Sequence, residues 1–472
     1  MINKNNLLAN EHVGRLMVRL SFPAIAGMIM YSLFSLIDTV FVSRLGTAAL
    51  AALTLCVPIE ILLVSVGSAT GVGITSLLSR TLGKRDFSGA DNIAWHGLLI
   101  CIIYGLFFSW LGLVNLDALL HLFGCPPEIW DLSREYLFIV LLGCLFTFGP
   151  MLAGNILQGE GNTLMPMLTA LVGIILNVIL DPILIFGMGP VPAMGLRGAA
   201  WATVGAQLVC TVIALTVMVK QRVFLSWSIL NFRPSLSIMI DIYRVGIPTL
   251  LMELLSVVIM VFFNKILLQF GYAAVAVMGI FVRIRSLFYM PVFGLAQGAM
   301  PMVGFAYGAN NYVRVKETII KAMVFSILFV VIGWWAMQFH PVWLMQRFSG
   351  DEKLIALGVD CMRWATLCLP VMGPILILGS VLQALGRGMT AMWLSLIRQL
   401  GIFLPALIIL PRIWQLNGIW LAFSLAEALS AILALYFLIS LWRDLQGNRK
   451  YGFFITFKNG YVLRRLAAWL RW

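Results

Sequence analysis

Two aspartates stand where the chain is otherwise apolar. Asp38 follows the run from Met28 to Ile37, and Asp181 closes the phrase Asn177-Val-Ile-Leu-Asp181-Pro182. An ionisable group inside a membrane span costs roughly 2.5–3.5 kcal/mol on insertion scales, so each acid is expected to face a cavity, a partner or a cation. Asp38 lies 17 residues past Ser21 and Asp181 lies 18 past Thr163. At a helical rise of about 1.5 Å per residue, both carboxylates fall about 25 Å along their spans. Asn177 precedes Asp181 by one helical turn and shares its face. Pro182 has no N–H and releases the carbonyl of Val178. Two carboxylates, an amide oxygen and a spare carbonyl form an oxygen set suited to a hard cation. The same groups suit a proton, because two like charges at close range in a low dielectric cannot both ionise cheaply. Sodium and proton both stay open at this point. A plainer alternative has each aspartate capping a kinked helix or bonding a neighbouring hydroxyl such as that of Thr39.

The elements that position these residues are membrane helices. Of the 472 residues 61% are hydrophobic and only 11% charged, with a mean hydropathy of +0.98, whereas soluble domains carry about 25% charged residues. A helix needs roughly 20 apolar residues to cross a bilayer, and about twelve stretches satisfy that rule. They centre near Met30, Val66, Ile103, Leu141, Ile174, Val209, Val257, Met290, Leu328, Pro374, Phe403 and Ile432. The ten-residue alternation of a membrane β-barrel is absent. The fold expected is therefore an all-α polytopic membrane protein.

The net charge of +13 is distributed by loop, which excludes a nucleic-acid reading. Lys4, Arg15, Arg80, Lys84, Arg85, Lys220, Arg222, Arg233, Arg314, Lys316 and Arg387 fall at the N-terminus and at alternate connections, and a further group crowds the C-terminal tail. The positive-inside rule then predicts both termini in the cytoplasm, in a multi-pass protein of the inner membrane. The tail, 446–472, is basic and aromatic, a composition suited to an interfacial helix on the anionic inner leaflet. Seven cysteines lie mostly in apolar runs without a CxxC pair, and the four histidines show no ligand spacing. No cofactor or metal centre is expected beyond a coupling Na+ or H+. Residues 1–14 are polar and predict no cleavable signal peptide.

Adding 225 to a position in the first half lands on its match in the second. Pro23 meets Pro248, Gly46 meets Gly271, Gly83 meets Gly308, Trp110 meets Trp335 and Gln158 meets Gln383. The register then slips by five, so that Gly198 faces Gly418. Apolar low complexity does not readily produce shared Pro, Gly, Trp and Gln at one offset. Two pseudo-symmetric bundles of six helices follow, entering the membrane in the same direction as parallel repeats. The division expected is an N-lobe over 1–221, a linker over 222–240 with its break at Arg233-Pro234, a C-lobe over 241–445 and the tail.

Glu60, Glu253, Lys265, Arg283, Arg285, Arg398 and Glu427 also lie in or near spans and are expected to be scattered, several snorkelling or pairing at helix ends. Glu253 is the most central of them. Met28, Tyr31 and Phe34 are candidates to line a drug cavity, as is Asn155 near the end of the fourth span.

Taken in order, the phrases Asp38-Thr-Val-Phe-Val-Ser-Arg-Leu-Gly46, Gly83-Lys-Arg, Asn155-Ile-Leu-Gln-Gly-Glu-Gly161, Asn177-Val-Ile-Leu-Asp181-Pro182, Gly198-Ala-Ala-Trp-Ala-Thr203, Gly304-Phe-Ala-Tyr-Gly308 and Leu382-Gln-Ala-Leu-Gly386 resemble those of multidrug and toxic compound extrusion (MATE) transporters. The resemblance covers nearly the whole chain. It implies two six-helix bundles in a V and alternating access. It also implies export of lipophilic, often cationic drugs against uptake of sodium or protons, with small molecules and the bilayer as partners and the monomer as the unit. In the DinF-like branch an N-lobe site takes an acid from the first span and Asn, Asp and Thr from the fifth and sixth. Those roles fall on Asp38, Asn177, Asp181 and Thr203, with the carbonyl of Ala199 as an extra ligand. The tenth span, read from Cys361 to Leu385, has no Asp or Glu, which argues against a C-lobe coupling site. Two rivals were weighed. A flippase for a lipid-linked or other amphiphilic metabolite calls for a cavity rich in Arg or Lys. A membrane-embedded enzyme calls for a nucleophile–base or His-Glu-x-x-His phrase, and none is present.

Overall fold

The structure is a computed structural model that describes residues 7–188, 191–220 and 232–446, apart from the side chains of residues 31–36. Long helices dominate it. In chain order they are α1 (Val13–Ser43), α2 (Thr47–Gly83), α3 (Phe87–Val114), the bent pair α4 (Pro127–Leu142 and Cys144–Gly159), α5 (Leu164–Phe186), α6 (Leu196–Lys220), α7 (Leu236–Leu268), α8 (Tyr272–Gly308), α9 (Tyr312–Phe339) and the bent pair α10 (Glu352–Ala365 and Leu369–Ala384). The last apolar stretch, Gly388–Leu445, has 58 residues, or about 87 Å of helix, nearly three bilayer cores. It breaks where Trp414 (φ −119°, ψ 17°) and Gln415 (φ 50°, ψ −131°) leave helical geometry, giving α11 (388–413) and α12 (416–445). Nine helices pass on length and composition, two bent pairs add two, and this break adds one. Twelve spans result among the described residues. The protein is a multi-pass membrane protein.

The offset of 225 recurs in the geometry. Helices α2 and α8 each have 37 residues, and α3 and α9 each have 28. Asp86 and Asn311 cap α3 and α9 in the same way, their side-chain oxygens accepting from Gly89 N at 2.8 Å and Arg314 N at 3.0 Å. Gly46 (φ 108°) and Gly271 (φ 98°) lead into α2 and α8 with backbone that only glycine adopts cheaply. The bends in α4 and α10 measure 48° and 57°. The slip of five residues is also seen, since Gly198 packs on the backbone of Leu184 and Gly418 on that of Leu410. The chain is thus two pseudo-symmetric six-helix bundles.

The halves meet at one end. Helix α1 packs on α8, and α2 on both α7 and α8. Ser76 Oγ donates to the carbonyl of Gln383 at 2.5 Å, Gln158 Nε2 to that of Gln297 at 2.7 Å, and Ser68 Oγ to Glu253 Oε1 at 3.2 Å. The hydroxyls of Tyr104 and Tyr243 lie 2.8 Å apart. Gly83 abuts the backbone of Phe305, and its repeat-mate Gly308 abuts that of Arg80, so the seam is itself pseudo-symmetric. Small residues let the helix backbones approach. Both ends of the described chain lie here too: Arg314 Nη2 reaches the carbonyl of Glu11 at 2.7 Å, and Arg387 pairs with Asp444 at 2.9 Å.

Some expected boundaries differ. Helix α1 begins at Val13, capped by His12, eight residues before the Ser21 used to gauge depth, because a helix continues beyond the apolar core once capped. Helix α7 begins at Leu236, inside the range assigned to the linker. The linker's residues 222–231 and the tail from 447 lie outside the described residues. Arg233 is held to α3 by Asn92, which accepts from its N–H at 3.1 Å and donates to its carbonyl at 3.0 Å.

Candidate cation site

Asn177 and Asp181 lie one turn apart on α5, and both are fully buried at 0% exposure. Measured from the far ends of their helices, Asp38 stands five residues before Ser43 and Asp181 five before Phe186. That is about 7.5 Å in each case. The depths therefore match, although the starting point used in sequence does not hold. Helix α1, which carries Asp38, packs on α5, which carries Asp181. Asn177 Nδ2 donates to Thr203 Oγ1 at 3.2 Å, tying α5 to α6. Asn177, Asp181 and Thr203 are thus brought together, with Asp38 on the helix packed against α5. Ala199 is buried one turn before Thr203, and its carbonyl is already an acceptor in the helical ladder.

The defining feature is what these groups lack. Asp38 Oδ1, Asn177 Oδ1 and both carboxylate oxygens of Asp181 are buried without a hydrogen-bond partner among the described residues. A buried acceptor left unpaired costs about 1–3 kcal/mol, and more when charged. Four such oxygens stand on two helices packed against each other, and a cation or proton would satisfy them. The plainer alternative of a cap or a hydroxyl contact does not describe Asp181, because both of its oxygens are bare.

Sequence reasoning missed a neighbouring pair. Glu60 on α2 accepts with its Oε1 from the buried hydroxyl of Tyr136 on α4 at 2.9 Å. Glu60 was one charge among several near spans, and one helix alone does not say which of its faces turns inward. Among the described residues no three His, Cys, Asp or Glu groups could hold a metal ion together.

The other candidates are spread out. Asn155 is wedged between α4 and α2, where its amide donates to the carbonyl of Met151 at 2.8 Å and its side-chain oxygen accepts from Thr75 at 3.2 Å. Glu253 lies on the seam, accepting from Ser68. Met28 is half-buried on α1. The side chains of Tyr31 and Phe34 lie outside the described residues. Two readings need correction. Helix α10 starts at Glu352, so its first limb does carry Glu352 and Asp360, both exposed; its second limb has no acid. The intramembrane charges of the second half are not all scattered either: Arg285 and Glu427 both meet Tyr289, and Arg398 lies on the turn that carries Phe403 to the Phe423 ring beside Arg285, which no local pattern in the chain reveals.

Comparison with known proteins gives a consistent picture. The MatE family model matches residues 23–183 and again 248–409, two stretches whose starts are 225 residues apart. The chain is similar to the FAD transporter of Shewanella oneidensis, at 27% identity over 436 residues, covering 91% of this chain and 95% of the relative. It is also similar to the multidrug export protein MepA of Staphylococcus aureus, at 26% identity, covering 92% and 94%. A solved structure of an outward-facing multidrug resistance MATE family transporter of the MOP superfamily superposes with a TM-score of 0.87 at 28% identity, covering 94% of this chain and 99% of the other.

Proposed function

The chain belongs to the MatE family, and on that premise we propose that this transporter is an antiporter exporting lipophilic compounds in exchange for a sodium ion or a proton. Asp38, Asn177, Asp181 and Thr203 would hold the coupling ion. The observation that carries the reading is the set of four bare, buried oxygens on Asp38, Asn177 and Asp181. Two acids with neutral oxygens suit a monovalent hard cation or a proton.

Exchange requires that cation and cargo disfavour each other in at least one state. The basic loops mark the seam end as cytoplasmic, with both termini there. The halves would then part toward the opposite face, an outward-open arrangement in which the cation would enter as cargo leaves. A membrane potential of about 100 mV supplies roughly 2.3 kcal/mol per charge, or about a 50-fold concentration ratio. The N-half site and the acid-free second limb of α10 support a place in the DinF-like branch. A second reading, export of an anionic amphiphile, is favoured by the relative named for FAD.

The test is efflux of ethidium from proteoliposomes carrying the purified protein, with a sodium gradient and a proton gradient imposed in separate runs. Transport driven by one of them is expected. Ethidium movement that follows neither gradient would overturn the coupling.

A further inference from the structure

The second half carries its own charged cluster, two half-buried arginines and the buried Glu427, at the place equivalent to the acidic one. The offset of 225 takes Glu60 to Arg285, Asp38 to Phe263 and Tyr136 to Cys361; past the slip of five, Thr203 goes to Phe423. Glu60 and Arg285 each sit 13 residues into their helices, counted from Thr47 and Tyr272. At matched positions the acid is replaced by a base, and polar ligands by aromatic rings.

The Arg285 guanidinium lies 4.6 Å from the ring centre of Tyr289, 5.6 Å from that of Phe423 and 5.9 Å from that of Phe281. Phe263, Phe403 and Phe423 pack together beside it, with ring centres 4.9 to 6.3 Å apart. Arg398 sits on a π-helical turn, Ile397–Phe403, a distortion frequent at functional sites. It makes a weak polar contact with Met372 Sδ at 3.8 Å. Glu427, 4% exposed, accepts from Tyr289 at 3.4 Å with one oxygen and leaves the other without a partner. Among the described residues neither arginine forms an ion pair. The formal charge is two arginines less one glutamate, or +1.

A surplus positive charge among aromatic rings in a membrane protein is costly without an anion. Guanidinium edges are the groups that grip a carboxylate or phosphate in two places, and the phenylalanine wall offers stacking for a planar ring. We propose that this C-half cluster binds an aromatic organic anion, its acidic group held by Arg285 and Arg398 and its ring against Phe263, Phe403 and Phe423. The cluster lies in the opposite half from the candidate cation site, so on this proposal the two halves bind opposite charges at related positions.

The test is binding of 1-naphthoate to the purified protein, followed by calorimetry, with 1-naphthamide and 1-naphthylmethylammonium as neutral and cationic analogues. Saturable binding of naphthoate is expected, at least tenfold tighter than either analogue. Arg285→Gln and Arg398→Gln should each weaken it tenfold or more. Glu427→Gln should tighten it several-fold by removing the repelling charge, a gain that a misfolded variant cannot give. Asp181→Asn should leave naphthoate binding unchanged even though it disables the cation site. Equal or tighter binding of the cation or amide, no saturable naphthoate binding, or weakening by Glu427→Gln would each overturn the proposal.

Discussion

Asp181→Asn should move stability and transport in opposite directions. Both Asp181 oxygens, Asn177 Oδ1 and Asp38 Oδ1 have no hydrogen-bond partner among the described residues. An asparagine removes one charge and brings an N–H2 group within reach of the Asn177 and Asp38 acceptors. Satisfying one or two buried acceptors is worth about 1–3 kcal/mol each, so the cation-free variant should melt at a higher temperature than the unmodified protein. Coupling should suffer instead. A cation about 4 Å from a carboxylate gains about 4 kcal/mol at an effective dielectric constant near 20, which corresponds to about 10³-fold in affinity before its desolvation is set against it. A loss of at least tenfold is expected. The assay is thermal melting of the detergent-solubilised protein across a sodium titration at constant ionic strength and across a pH series. Efflux is measured in parallel. The unmodified protein should be stabilised by one of the two ions and the variant by neither. If Asp181→Asn lowers the cation-free melting temperature, or keeps both the ion-dependent stabilisation and the efflux, the coupling argument is refuted.

Three further outcomes follow from the geometry. Thr203→Val removes the hydroxyl that accepts from Asn177 and should weaken ion-dependent stabilisation about tenfold while leaving both carboxylates in place; an unchanged titration midpoint would remove Thr203 from the site. Gly308→Leu sets a side chain against the backbone of Arg80 and should prise the seam apart. Spin labels at Lys84→Cys and Val313→Cys should report a longer, broader distance distribution than in the unsubstituted protein, and an unaltered distribution would show that the seam tolerates bulk. Asp86→Ala and Asn311→Ala each remove one helix cap and should each cost about 0.5–2 kcal/mol. Comparable losses of thermal stability in the two variants are expected from their repeat-related positions.

The residues of the candidate cation site stand out in the sequence because they advertise themselves locally. Asp38, Asn177 and Asp181 are conspicuous against apolar spans, and the spacing of Asn177 from Asp181 assigns a shared face without knowledge of any partner. Thr203 came from the family resemblance, and the bond from Asn177 places it beside the others. Glu60 and Tyr136 escaped because their meeting joins α2 to α4 across 76 residues of chain. Asn155, a plausible cavity residue by position, turned out to be engaged with α2, and only the packing of Thr75 against it shows that.

Membrane residence, the number of spans and the internal repeat were determined by the sequence alone. Each is a property of residues close in the chain or at a constant offset: hydropathy over about 20 residues and identities 225 apart. The tertiary structure decided which oxygens remain without a partner, which end of the molecule the seam closes, and that Arg285 and Glu427 meet at Tyr289. Those facts depend on side chains brought from different helices into a medium without water to satisfy them. A linear pattern does not encode which faces the helices turn toward one another.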